Sequence, residues 1–230
     1  MPELIVALDY TDALDAFTMA GSLRHETRWV KVGLELFTRE GPRVVQTLKG
    51  MGFKVMVDLK MFDIPNTVRG GVRAACWIGA DLITLHLLGG ERMIRAAVEE
   101  AAERAATGGE RPLLFGVTVL TSMEPGDLPG YDGDIAGLAG ELADGAAAWG
   151  LDGVVCSGFE ARAIKSRHPN LLCLTPGIRP AGGGSDDQRR IMTPAKAVAE
   201  GSDFLVVGRP VTRADDPAAA ARAIVREIAS

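Results

Sequence analysis

The chain has 230 residues, 47% of them hydrophobic, and carries a formal net charge of −5 at pH 7. This length fits one large domain, and the hydrophobic fraction supplies a large core and excludes an intrinsically disordered chain. The acidic balance, without any basic tract, excludes nucleic acid as an expected partner. We also expect no membrane partner, because no apolar stretch approaches the roughly 18 residues that a membrane span needs.

Short β-rich apolar runs alternate along the chain with longer, alanine-rich helical patterns. The eight candidate strands are residues 4–8, 29–33, 54–59, 82–86, 113–119, 153–156, 171–175 and 204–207. The helical patterns between them, such as 92–106, 135–149 and 193–200, are long enough for the crossovers that parallel strands require. Eight such units without an internal break predict an α/β fold, a closed (β/α)8 TIM barrel that forms a single domain over residues 1–230.

An open, doubly wound sheet is the alternative architecture. It requires a glycine-rich dinucleotide-binding turn after the first strand, and the sequence Asp9-Tyr10-Thr11-Asp12 is no such turn. Two stretches rich in glycine and proline, residues 124–133 and 176–185, follow the fifth and seventh candidate strands. In a barrel they would be long loops on the carboxyl-terminal rim, where barrel enzymes keep their active sites.

Charged residues gather at the carboxyl ends of the first three candidate strands. Asp58 and Lys60 end the apolar third strand, and they share a face because residues i and i+2 of a strand point the same way. On a barrel rim Asp9, Lys31 and Asp63 would join them, with charges that alternate in sign. Opposite charges at the end of a buried strand are costly unless they pair, and proteins tolerate them mainly where chemistry needs them. Flanking carboxylates would hold Lys60 as an ammonium group that stabilises negative charge on a substrate and donates a proton to it.

A second candidate site lies on the loops after the seventh and eighth strands. The glycine-rich loop 177–188 carries Arg179 and Gln188, and Gly208 and Arg209 follow the eighth strand. Glycine N–H groups and guanidinium groups bind phosphate oxygens, and barrels frequently place a phosphate at these two loops. The glycines also predict a lid that closes over the ligand. A solvated loop beside an unrelated surface arginine is the alternative interpretation.

Other polar residues have simpler interpretations. His86 ends the fourth candidate strand, near the rim. We interpret it as structural or as a residue that supports the site residues, because no set of His, Cys, Asp and Glu has metal-ligand spacing; we expect no metal site. Acidic and basic residues on the helical segment 92–106 predict a solvated helix face: Glu99, Glu100, Glu103 and Arg104.

The amino terminus and the cysteines bear on the cellular compartment. Residues 1–9 have no basic leader, and their apolar run is too short for a signal peptide. Cys76, Cys156 and Cys173 lie far apart without a Cys-x-x-Cys pair, which is typical of buried thiols in a reducing cytosol. We therefore expect a cytoplasmic protein.

Together these motifs resemble the orotidine 5′-phosphate decarboxylase family. The similar segments run in order from the first strand to the last: ALD at 7–9, VKVG at 30–33, DLKMFDIPNT at 58–67, VLTS at 119–122, TPGIRP at 175–180, DQRRI at 187–191 and VGRP at 207–210. A single tripeptide would be weak evidence, whereas an ordered set over essentially the whole chain is specific. The resemblance implies decarboxylation of orotidine 5′-monophosphate to uridine 5′-monophosphate (UMP) and CO2, without a cofactor, as the last step of de novo pyrimidine synthesis.

The resemblance also implies roles for individual residues. The catalytic set would be Lys60, Asp58, Lys31 and Asp63, with Lys60 as the proton donor to C6 and Asp58 beside the departing carboxylate. Asp9 and Lys31 would contact the ribose hydroxyls. The other residues that would bind substrate are Ile64, Thr67, Thr121, Ser122, Pro176, Arg179, Gln188, Gly208 and Arg209. Of the motif 58–67, Asp63, Ile64 and Thr67 would reach into the neighbouring subunit's site, which implies a homodimer with shared active sites.

The sequence departs from the family pattern at two places, and two other functions are compatible with it. Phe62 stands where the family often has histidine, and Leu87 and Leu88 replace smaller residues. The nearest rivals are metal-dependent sugar-phosphate decarboxylases or aldolases of the same superfamily, which resemble this chain but carry an acidic ligand in place of Lys31. A non-catalytic nucleotide-binding sensor is the other rival, since a barrel fold by itself hosts many functions.

Overall fold

The computed structural model describes residues 1–131, 133–180 and 191–229. Eight parallel strands close a barrel in sequence order, which confirms the predicted (β/α)8 fold. The strands are β1 (Glu3–Ala7), β2 (Trp29–Gly33), β3 (Lys54–Met61), β4 (Leu82–His86), β5 (Leu113–Val117), β6 (Gly153–Val155), β7 (Leu172–Thr175) and β8 (Phe204–Val207). Their near-continuous apolar sequences follow from burial on both faces, since the barrel interior covers one side and the helices cover the other.

Helices connect consecutive strands and form the outer layer. They are α1 (Ala13–Ser22), α2 (Leu34–Glu40), α3 (Pro42–Gly50), α4 (Pro65–Trp77), α5 (Gly90–Ala106), α6 (Ile135–Trp149), α7 (Gly158–Arg167), α8 (Pro194–Ala199), α9 (Arg209–Thr212) and α10 (Pro217–Ala229), with a 3-10 turn at Leu87–Gly89. Local sequence starts several of them: Asp12, Asp134 and Ser157 cap α1, α6 and α7 with their side chains. Within the described ranges, none of the helices is both long and apolar enough to cross a bilayer.

Large apolar side chains fill the barrel interior at the amino-terminal ends of the strands. Trp29 and Phe204, the first residues of β2 and β8, meet edge to face with ring centroids 5.5 Å apart, and Phe115 meets Phe204 at 5.8 Å. Met56 and Leu82 complete this buried cluster. Because large side chains close the lower part of the barrel, open space remains at the carboxyl ends of the strands.

Strand β3 leaves regular geometry where its charged residues begin. It advances four positions, from Val57 to Met61, while β4 advances two, from Ile83 to Leu85. Lys60 within this bulge has φ +48°, and it is the one non-glycine residue with positive φ in the part of the chain that the structure describes. A left-handed conformation costs a non-glycine residue about 1–2 kcal/mol, so surrounding contacts must hold Lys60 in place.

One expectation about a helix surface was wrong. Glu100 on α5 is buried, with 8% of its side chain exposed, rather than part of a solvated face. It accepts hydrogen bonds from Arg73 Nε (2.6 Å) and Arg69 Nε (2.8 Å), both on α4. These bonds, Arg73 first, outweigh the opposing effect of burial and lower the pKa of Glu100 to about 2. Helical periodicity predicted that Glu100 lies on the polar face of α5. It could not predict that α4 packs against this face and brings two arginines to Glu100.

Candidate active site

A cavity of about 330 Å³ opens at the carboxyl-terminal rim of the barrel. Its floor is apolar and comes from the strand interiors: Ala7, Met56, Val117, Val155, Leu174 and Val206. Its wall contains most of the residues predicted from the sequence: Asp9, Lys31, Asp58, Lys60, Thr121, Ser122, Pro176, Arg179, Gly208 and Arg209. Apolar side chains beneath a charged wall lower the local dielectric constant, which strengthens electrostatic interactions within the cavity.

Four of the five predicted charges form a chain of alternating sign. Lys31 Nζ lies 2.8 Å from Asp9 Oδ1 and 3.7 Å from Asp58 Oδ2. Lys60 Nζ donates a hydrogen bond to Asp58 Oδ1 at 2.9 Å. The contact between Asp58 and Lys60 confirms that the two side chains point the same way at the end of β3.

Mutual pairing keeps the buried members of this chain charged. Burial lowers the pKa of Lys31, but the charges of Asp58 and Asp9 and their hydrogen bonds outweigh it, and the pKa is raised. Burial raises the pKa of Asp58, but the charges of Lys31 and Lys60 and the hydrogen bonds that Asp58 accepts outweigh burial, and the pKa is lowered. Both groups are therefore ionised at neutral pH, which supports a preorganised field rather than neutral side chains.

Asp63 does not join this chain of charges within its own subunit, contrary to the expectation drawn from the charges at strand ends. The backbone turns outward after β3 into α4, so Asp63 is exposed, and its carboxylate accepts a hydrogen bond from the N–H of Ile64 at 2.6 Å. Ile64 and Thr67 are exposed too, and none of the three lines the cavity of its own chain. The charges in the sequence do not show that the chain changes direction at the end of the strand.

Two residues that the sequence reasoning did not single out shape the charged chain. Thr84, fully buried on β4, accepts a hydrogen bond from the backbone N–H of Lys60 and contacts Asp58 Oδ1, both at 3.0 Å. Gly33 leaves the space that the first ion pair needs, since a Cβ there would lie 3.0 Å from Lys31 Nζ and 3.4 Å from Asp9 Oδ1. The signals in the sequence were a threonine inside an apolar strand and a glycine at the end of β2, two residues after Lys31.

The predicted anion site lies after β7 and β8, next to the chain of charges, since β8 pairs with β1 and a Cβ at Gly208 would lie 3.6 Å from Asp9 Oδ2. Arg179 is buried beside β7, with its backbone N–H bonded to the carbonyl of Met192 (2.9 Å) and Nη1 bonded to the carbonyl of Ile178 (3.1 Å). Gly208 precedes α9 and Arg209 begins it, so both face the cavity mouth after β8. Gln188, and with it most of the predicted lid, lies outside the described residues.

The surroundings of His86 offer no metal centre. Its ring lies 5.6 Å from the ring of Phe62, and burial, aided by the nearby charge of Lys60, lowers the pKa of His86, so the imidazole is neutral at pH 7. Across residues 1–131, 133–180 and 191–229, no group of three or more His, Cys, Asp or Glu side chains is placed to hold a metal ion. The chemistry that the described cavity supplies comes from lysine, aspartate, arginine and hydroxyl groups.

Fold and cavity together define a protein of the (β/α)8-barrel class whose carboxyl-terminal rim holds a cavity lined by paired charged side chains. The model of the orotidine 5′-phosphate decarboxylase / HUMPS family matches residues 2–224. The chain belongs to this family.

Individual relatives agree with the family match. A protein from Nitratidesulfovibrio vulgaris named orotidine 5′-phosphate decarboxylase is 62% identical and covers 100% of this chain and 99% of its own length. A protein of the same name from Lawsonia intracellularis is 58% identical, over 94% of this chain and 95% of its own. The crystal structure of orotidine 5′-phosphate decarboxylase from Lactobacillus acidophilus superposes with a TM-score of 0.89 at 36% identity and covers both chains completely.

Proposed function

We propose that this chain decarboxylates orotidine 5′-monophosphate to UMP and CO2, the last step of de novo pyrimidine synthesis, without a metal or organic cofactor. The observation that carries the proposal is the chain of charges from Asp9 to Lys60 at the mouth of an apolar cavity. The names of relatives that are 58–62% identical over nearly the whole chain support the same reaction.

Lys60 is the central group of the proposed mechanism. When the bond between C6 and the carboxyl carbon breaks, its electron pair stays on C6, and the pyrimidine ring offers that pair little resonance stabilisation. The Lys60 ammonium stabilises the developing charge and then transfers a proton from Nζ to C6, after which solvent returns a proton to the amine. Repulsion between Asp58 and the substrate carboxylate is a secondary contribution, because ground-state effects of this kind are contested.

The other charges keep Lys60 ready for this step. Asp58 holds Nζ of Lys60 at 2.9 Å, and Lys31 keeps Asp58 ionised from the other side. Lys31 in turn is paired with Asp9, and we assign the ribose hydroxyls of the substrate to these two residues. An array that is already ordered before substrate arrives need not reorganise during the reaction, which is the main advantage of an enzyme site over water.

The substrate would lie across the cavity, with its base and phosphate at different residues. We assign Thr121 and Ser122 to the base and Pro176, Arg179, Gly208 and Arg209 to the phosphate region, because all six line the cavity. We place Gln188 in the same phosphate region by the resemblance of its motif. The phosphate lies far from C6, yet its binding energy contributes to orientation and to closure of the site.

We further propose a cytoplasmic homodimer in which each subunit completes its partner's site with Asp63, Ile64 and Thr67. Large apolar side chains are exposed in the same region: Phe62 is 60% exposed and Ile64 66%, and Leu88 lies exposed after the neighbouring strand β4. Such a patch is typical of a surface that another protein covers. Phe62, the departure from the family motif, would then add apolar contact area at the interface.

The reaction is tested by following the ultraviolet absorbance of orotidine 5′-monophosphate with the purified protein, before and after exhaustive chelation. We expect turnover that chelation leaves unchanged, because the proposed chemistry uses lysine and aspartate side chains. A metal-dependent sugar-phosphate enzyme would show no turnover of this substrate and would need its metal for its own reaction. A sensor would bind UMP without turnover; folded protein that binds the nucleotide but leaves the absorbance unchanged would contradict the proposal.

The phosphate assignment predicts a large effect of Arg209→Ala. We expect kcat/KM for orotidine 5′-monophosphate to fall by roughly two to three powers of ten, about 3–4 kcal/mol. The matched control is Arg213→Ala, which removes an exposed arginine that lies one turn further along and does not line the cavity. Steady-state kinetics of both variants, with orotidine as a substrate without phosphate, separate a phosphate contact from a general charge effect. An Arg209→Ala enzyme of full efficiency would show that the phosphate lies elsewhere.

A further inference from the structure

Thr84 joins the two groups that the proposed reaction depends on. It lies fully buried in β4, and its hydroxyl contacts the backbone of Lys60 on one side and the carboxylate of Asp58 on the other, each at 3.0 Å. Asp58 Oδ1 also accepts the hydrogen bond from Lys60 Nζ at 2.9 Å. Backbone nitrogen, hydroxyl, carboxylate and ammonium therefore form a closed ring of hydrogen bonds that begins and ends on Lys60.

The direction of each bond in this ring follows from chemistry. The N–H of Lys60 can only donate, so the Thr84 oxygen accepts from it. The Asp58 carboxylate is ionised and can only accept, so the hydroxyl hydrogen of Thr84 points to Oδ1. One hydroxyl thus uses its acceptor and its donor on the two ends of the catalytic pair, and no other orientation of its hydrogen satisfies both contacts.

We propose that Thr84 is a positioning residue that fixes the place of the Lys60 ammonium by holding its backbone and its carboxylate partner together. The inference rests on the proposed function, since Lys60 and Asp58 are the groups whose placement matters for it. The geometry of β3 gives the reason for such a device. Lys60 sits in a bulge with φ +48°, where strand pairing no longer holds its backbone in register with β4. The hydroxyl oxygen of Thr84 on β4 accepts a hydrogen bond from the backbone N–H of Lys60 and so ties the bulge to the neighbouring strand.

The test removes the hydroxyl while keeping the shape of the side chain, through Thr84→Val. We expect kcat to fall by about 10- to 100-fold, because loss of the ring lets the ammonium drift by a fraction of an ångström to about 1 Å from its productive position. The KM and the dissociation constant of UMP should stay within about threefold of wild type, since phosphate and ribose contacts are untouched. Thr84→Ser, which restores a hydroxyl at the same place, should recover most of kcat.

Thr118→Val is the matched control. Thr118 is also fully buried, on the chain just after β5, but its hydroxyl donates to the carbonyl of Val155 at 3.0 Å rather than to the charged residues. Thr118→Val should lose thermal stability with kcat within about threefold of wild type, because the lost hydrogen bond is structural. If Thr84→Val does not fold, Thr84→Ala replaces it, with the same expected loss of kcat.

Each result bears on a different claim. Absence of turnover in the wild-type protein contradicts the proposed function. With active wild type, a folded Thr84→Val enzyme of unchanged kcat overturns the positioning role and leaves the function standing. The role is equally overturned if Thr84→Ser is as slow as Thr84→Val, or if Thr118→Val loses as much kcat, since either result assigns the effect to packing or stability.

Discussion

A Lys60→Ala enzyme is expected to lose turnover by about 10⁴- to 10⁷-fold while it still binds nucleotide. The range follows from two losses that occur together: electrostatic stabilisation of a developing charge contributes roughly 10²- to 10³-fold, and proton donation roughly 10²- to 10⁴-fold. Affinity for UMP should change far less, because the phosphate and ribose contacts that we assign to other residues remain. The loss therefore appears in kcat rather than in binding.

The measurement is single-turnover decarboxylation with a parallel determination of UMP affinity. Lys54→Ala is a matched control, since Lys54 begins the same strand β3 at the opposite end of the barrel, where its ammonium lies over the ring of Trp29. Its removal should leave turnover near the wild-type value. Retention of turnover in Lys60→Ala, in protein shown to be folded and free of wild type, would remove the proton-donor role.

Mixing Lys60→Ala subunits with Asp63→Ala subunits is expected to restore about a quarter of normal activity. Each variant alone should be almost inactive, because each of its sites lacks one of the two groups. In a random mixture half of the dimers contain one subunit of each kind, and one of the two sites in such a dimer regains both residues. One half of one half gives the expected quarter.

This experiment tests the shared active site directly. Asp63 is exposed and lies outside its own chain's cavity, so a contribution to catalysis requires a second subunit. The control mixes Lys60→Ala subunits with subunits that carry both substitutions; no site can then regain Lys60, and activity should stay at the background. If subunit exchange is demonstrated and the first mixture still gives no recovery, Asp63 belongs to its own subunit's site or to none.

Aspartate at position 58 illustrates why the whole array, rather than one residue, governs the chemistry. Its pKa is lowered although burial opposes this, because the charges of Lys31 and Lys60 surround it and Lys60 and Thr84 donate hydrogen bonds to it. Removing either lysine would leave a buried charge only partly compensated, which costs several kcal/mol in comparable sites. Effects of substitutions within the array are therefore expected to be strongly non-additive.

Regular features of this protein could be predicted from the sequence because they depend on local patterns. Eight apolar runs separated by helical segments predicted the barrel, and the charges at strand ends predicted that Asp9, Lys31, Asp58 and Lys60 would meet on one rim. These inferences succeed since parallel strands bring their carboxyl ends to the same edge whatever the details of packing.

Other features were decided only by the tertiary structure. The bulge in β3 gives Lys60 its left-handed backbone and brings it to Thr84, while the outward turn after β3 separates Asp63 from the other charges. The arginines of α4 bury Glu100, which helical periodicity placed in solvent. Sequence periodicity reports which face of its own element a residue occupies. Which atoms of another element it meets depends on register and packing, and these arise from the free energy of the whole chain.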